Sequence, residues 1–81
     1  MNSVYIVTSY DGQDNIIESV WAYWVDARAC LDKVKIRLTK RVDHLKLNSW
    51  SYQQSLEAGH LAYAGYHQSN YSIEIEEFKV N

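Results

Sequence analysis

Eighty-one residues make a single domain, 1–81, with a small core, and 47% hydrophobic and 14% aromatic content excludes a disordered chain. One cysteine, Cys30, excludes an internal disulfide, and no run approaches the roughly 18 apolar residues of a membrane span. The net charge is −2, yet seven of the eight basic residues fall between 28 and 46 against two acids, while the remainder sets Lys79 against eight acids, so the surface is expected to be dipolar.

Val4 to Tyr10 is rich in β-branched and aromatic residues and predicts a strand. Asp11-Gly12-Gln13-Asp14-Asn15 carries turn chemistry, and Ile16 to about Trp24 predicts the returning strand of a hairpin. Asp26 is placed as a helix N-cap. Behind it Ala27, Leu31, Val34, Leu38, Val42 and Leu45 recur at steps of three and four, predicting an amphipathic helix of about twenty residues. Asn48-Ser49 can end that helix and cap another, in which Trp50, Tyr52, Leu56, Gly59, Tyr63 and Tyr66 form a second stripe and Gly65 is the stop. Tyr71 to Glu76 alternates strictly, as a half-buried strand does, and the shift of parity at Phe78 and Val80 predicts a β-bulge near Glu76-Glu77. The expected fold is α+β, order ββααβ, with a three-stranded antiparallel sheet, its first strand central, and one long and one shorter helix on one face. The hairpin strands alternate less cleanly than a one-sided sheet requires, so either the helices cover both faces or an aromatic patch is left for a partner.

Lys33, Arg37, Lys40 and Arg41 stand at i, i+4, i+7 and i+8 with His44 beside them, and Arg28, Lys35 and Lys46 flank the other edge of the apolar stripe. Such an array can follow phosphates or an acidic protein surface. It serves equally as a solvated helix face, and the negative net charge favours that reading. If the helix presents a working surface, reversing Lys33, Arg37 and Lys40 is expected to abolish binding and leave folding nearly intact, whereas Leu38→Ala is expected to be costly.

Eleven aromatics exceed what 81 residues can fully bury, and Trp21 and Tyr23 are the candidates for exposure as interface anchors. Glu74, Glu76 and Glu77 read as charges guarding an edge strand, with pairing to the basic side of a partner or mimicry of phosphates as the other readings. His60 and His67 lack the company a metal site needs. Cys30, with no adjacent histidine, reads as a small buried hydrophobe. No nucleophile elbow, phosphate-cradling loop or carboxylate pair is present, so neither an enzyme, a metal nor a cofactor is expected. The N-terminal Met1-Asn2-Ser3 followed by a short apolar run does not make a signal peptide, and a cytoplasmic protein is expected.

The frame of Val4-Tyr5-Ile6-Val7-Thr8, Ile17-Glu18-Ser19-Val20-Trp21 and Tyr71-Ser72-Ile73-Glu74-Ile75-Glu76 resembles small uncharacterised proteins encoded by phages and prophages. The resemblance covers about half the chain; Lys40 to Tyr66 departs from the shortest members. It implies an anti-defence protein of the anti-CRISPR type, located in the host cytoplasm, that blocks a host protein or ribonucleoprotein complex by stoichiometric binding. The other readings are a nucleic-acid-binding module using the basic helix Arg28–Lys46 and a structural homodimer that hides its aromatic sheet face.

Overall fold

The structure, a computed structural model, describes residues 2–42, 45–55, 61–66 and 70–80. Strands β1 (Asn2–Asp11) and β2 (Asn15–Trp21) lead into helix α1 (Trp24–Arg41). A 3₁₀ turn at Leu47–Ser49 then precedes β3 (Trp50–Ser55), β4 (Leu61–Tyr66) and β5 (Tyr71–Val80). All pairings are antiparallel, in the order β2-β1-β5-β4-β3. The described residues thus form a five-stranded sheet and one α-helix, which corrects the expected three strands and two helices. The triplet β2-β1-β5 matches the expected neighbours; β3 and β4 occupy the segment assigned to the second helix.

That segment was ambiguous in period. Tyr63 and Tyr66 fit a helical stripe, but Ala62, Ala64 and Tyr66 also fit a strand, and these three are the buried side of β4. Trp, Tyr, Ser and Gln fill β3, a composition that favours a pleated surface over a helix. Trp50 and Tyr52 of the stripe lie in β3, and Leu56 and Gly59 lie outside the described residues. Gly65 is not a stop; it sits within β4, where the Tyr63 ring lies across it. A Cβ there would stand 2.7 Å from Tyr63 Cε1.

The first turn follows from its residues. Asp11 Oδ1 accepts from the amides of Gln13 (3.0 Å) and Asp14 (2.9 Å), and Gly12 takes the left-handed φ of 96° that other residues avoid.

Helix α1 begins two residues before the expected cap. Tyr23 is the N-cap, and Asp26 lies in the first turn, where its carboxylate faces the free amide end. The helix stops at Arg41 because Val42 turns extended. Leu45 still reaches the core, at 5% exposure, but from beyond the helix. Ala27, Leu31, Val34 and Leu38 pack on Val7, Ile73, Ile75, Ala62 and Ala64. Each large side chain in that set contributes about 1.5–3 kcal/mol by leaving water. Tyr5 and Trp24 meet edge to face at 5.7 Å at one end of this layer, and Trp50 and Tyr66 at 5.4 Å beside it. Strand β3 is tied to the helix flank through Trp50 Nε1, which donates to Thr39 Oγ1 at 3.0 Å, and through the Tyr52 ring, 4.1 Å below the Arg28 guanidinium.

The bulge lies in a different strand from the one expected. Strands β1 and β5 pair without interruption from Asn2↔Val80 to Asp11↔Tyr71. Instead the register shifts in β2, where Ser19 faces Val7 and Ile17 faces Thr8, leaving Glu18 as the extra residue. This accounts for the untidy alternation of the hairpin. Ile17 and Val20, three apart, both fall on the face turned away from the helix, and Glu18 and Ser19 both reach toward the helix.

Candidate functional site

Helix α1 covers one face of the sheet, and among the described residues nothing covers the other. Register places two central rows on that open face: Ile17, Thr8, Glu74, Tyr63 and Gln53, and beside it Val20, Ile6 and Glu76. Val4 and Phe78 form the next pair outward. Ile17 is 68% exposed, Val20 56%, and Tyr63, Phe78 and Val80 45% each. Contiguous apolar side chains left in water on a small domain mark an interaction surface.

The acids on β5 change meaning with the topology. β5 is the middle strand of five, so Glu74 and Glu76 guard no edge. They stand in the centre of the open face, Glu74 between Thr8 and Tyr63 and Glu76 beside Ile6. Neither makes an ion pair with a described residue. Glu77 has the opposite parity and faces the helix side, where it accepts from Tyr5; burial, then the Glu77 charge, push the Tyr5 phenol above its ordinary pKa.

On the helix side, Lys33, Arg37, Lys40 and Arg41 are all exposed, as their spacing implies. They are not equivalent. Arg37 Nη2 donates to Glu18 Oε2 at 2.6 Å, and the same oxygen accepts from Ser9 Oγ at 2.6 Å. The Glu18 side chain is only 9% exposed. Arg37 is therefore a clamp joining helix to sheet, which corrects the expectation that reversing Lys33, Arg37 and Lys40 together would spare the fold. Lys33, Lys40 and Arg41 make no ion pair among the described residues. The second basic row is partly neutralised: Arg28 and Lys35 both approach Asp32, at 2.7 and 3.6 Å. Lys46 follows the helix end, and His44 lies outside the described residues.

Trp21 and Tyr23 separate. Trp21 is half-buried against the core and donates through Nε1 to Ser19 Oγ. Tyr23, at the helix start, is 69% exposed. Neither belongs to the open face. Cys30 is half-buried rather than buried, 3.0 Å from Ser19 Oγ.

A cleft of about 190 Å³ opens between the C-terminal half of α1 and the ends of β1 and β5, lined by Ser9, Asp11, Arg37, Arg41 and Tyr71 among others. Its cations are balanced by acids: Glu18 holds Arg37, and Arg41 lies within electrostatic reach of Asp11 and Glu18. Among the described residues no three His, Cys, Asp or Glu side chains could hold a metal ion, and no helix is long and apolar enough to cross a membrane. His60 and His67 lie outside the described residues. Sequence reasoning passed over Glu18; the clue was two exposed aliphatics three apart in one strand, which only a bulge puts on one face.

The Glu18 clamp predicts how the domain responds to acid. The Arg37 hydrogen bond, against an opposing desolvation, holds the Glu18 carboxyl below its ordinary value, and the Asp14 and Gln13 amides do the same for Asp11. A depressed native pKa gives stability that is complete above the unfolded value, about 4.3 for Glu, and is lost as pH falls through the native value. Thermal unfolding between neutral pH and about pH 3 should show a fall in midpoint that Glu18→Gln flattens. An unchanged acid limb in that variant would remove Glu18 from the account.

No family model, curated protein or solved structure matches the chain.

Proposed function

We propose that this chain acts without catalysis, by stoichiometric binding of another protein through the open face of its sheet. The observation that supports this is the uncovered face carrying Ile17, Val20, Tyr63 and Phe78 beside Glu74 and Glu76. The concrete form is an anti-defence inhibitor of the anti-CRISPR type that occupies a host protein or ribonucleoprotein complex, and the resemblance to small phage proteins favours it. The surface is then the sheet face, with Tyr23 beyond its border and Trp21 serving the core.

The test is a cell in which a CRISPR complex restricts a targeted phage. Expression of the chain should restore plaque formation, and the purified complex should retain it at a fixed ratio. Ile17→Lys with Val20→Lys should abolish both. Loss of a central anchor costs about 2 kcal/mol or more, close to thirtyfold in affinity, while exposed positions contribute little to folding. If the double variant protects phage as well as the parent, the sheet face is not the working surface. If the parent neither protects phage nor is retained by a defence complex, the anti-defence form fails.

A second reading, a nucleic-acid module, is favoured by the exposed trio Lys33, Lys40 and Arg41. It requires affinity that falls steeply with salt, and a gel shift at low ionic strength decides it.

A further inference from the structure

We infer that the surface this sheet face fits is cationic: a protein surface whose apolar side chains are flanked by arginine or lysine. This rests on the protein-binding reading and specifies the partner. Glu74 and Glu76 occupy the middle strand, two residues apart on one face and about 7 Å from each other along the strand. No Lys, Arg or His stands on the described part of that face, so their charge is not balanced within it. Any partner that covers the face desolvates both carboxylates. An apolar or acidic partner would leave them buried and unpaired, which costs more than the surrounding aliphatic contacts return. A partner bringing guanidinium groups converts the same burial into paired, charge-assisted hydrogen bonds.

Size and symmetry point the same way. Strands of 7, 10, 10, 6 and 6 residues, about 4.8 Å apart, present roughly 600 Å², approaching the roughly 800 Å² that one partner contributes to a standard interface. A second copy is the alternative occupant. Two such faces packed about a two-fold axis would set middle strand over middle strand and bring four carboxylates together in a drying interface. The chain's own charge pattern therefore opposes pairing through this face.

The experiment titrates the full ¹⁵N-labelled chain with three short strand-forming peptides: alternating Leu and Arg, alternating Leu and Glu, and alternating Ser and Arg. The Leu–Arg peptide should shift the amides of Ile6, Thr8, Glu74, Glu76 and Phe78, and should weaken about tenfold as salt rises from about 50 to about 300 mM. Glu74→Lys with Glu76→Lys should lose about tenfold or more of that affinity, while Lys33→Glu with Lys40→Glu should keep it. Equal binding of the Leu–Glu peptide at this face, or full affinity in the Glu74/Glu76 variant, overturns the cationic partner and leaves protein binding through the face standing. Tight binding of the Ser–Arg peptide that maps to Glu74 and Glu76 but spares Ile6 and Phe78 removes the apolar part of the inference. Silence of the face toward all three peptides counts against both readings. A dimer in sedimentation equilibrium that protects the Glu74–Glu76 amides from exchange replaces the cationic partner with a second copy.

Discussion

Arg37→Glu will destabilise the domain by about 2–4 kcal/mol, whereas Lys33→Glu and Lys40→Glu will each stay within about ±0.5 kcal/mol. The three residues look alike in sequence and differ in what they touch. Reversal at 37 removes the donor that neutralises Glu18 and sets a second carboxylate against it, in a place where the Glu18 side chain is only 9% exposed. The half-exposed position of Arg37 itself keeps the effect below that of a fully buried pair. In a domain of this size, 1 kcal/mol moves the midpoint by about 4–8 °C, so the circular dichroism melt of the Arg37 variant should fall by about 8–30 °C. A double variant, Glu18→Gln with Arg37→Gln, should recover part of the loss, because no charge is then left unpaired. Equal melting of the Arg37 and Lys33 variants would mean that the clamp contributes nothing.

Leu31→Ala is the largest core effect expected, about 2–5 kcal/mol. Leu31 is fully buried at the centre of the helical stripe, against Val7, Ile73 and Ile75, which are equally buried. Those β1 and β5 side chains are held by a ten-pair ladder, so the space left by the lost methyl groups cannot close easily. Leu38, at 8% exposure near the helix end, has more freedom to relax and should cost less. Total stability for 81 residues is on the order of 4–12 kcal/mol, so the Leu31 variant approaches the point of unfolding. Urea titration decides the matter: the midpoint should drop with the slope unchanged. A Leu31 variant that melts with Leu38→Ala or above it would show that the core gives way more readily than its burial implies.

The parts of this fold that were legible in sequence are those with one clear period. The Ala27–Leu38 stripe, the Asp11–Asn15 turn and the alternation at Ile73 and Ile75 each had a single physical solution. The second half of the chain did not. Trp50 to Tyr66 mixes aromatics and alanines that satisfy steps of two as well as steps of three and four, and local preference cannot choose between them when the decisive contact is the distant pairing of β4 with β5. The candidate surface was hidden for the same reason. Glu74 and Glu76 guard an edge if β5 is an outer strand and lie at the centre of a face if it is the middle one, and only the strand order distinguishes the two. The parity change at Phe78 was real, but it marks where β5 turns its apolar residues to the open face rather than a bulge.

The place of β5 in the sheet also governs when the molecule can form during synthesis. Hairpin β1–β2 and hairpin β3–β4 are each local and can close as soon as their own residues are made. They share no pairing with each other; both depend on β5, which pairs β1 along ten residues and β4 along five. A nascent chain halted before Tyr71 therefore holds two hairpins with their inner edges open and a helix with half its floor missing. Joining them requires β1 and β5, about sixty residues apart or more, to meet, a slow kind of contact to make. Until β5 has emerged from the ribosome, the inner edges of β1 and β4 lack the strand that covers them, and its arrival is the step that turns two separate hairpins into one sheet.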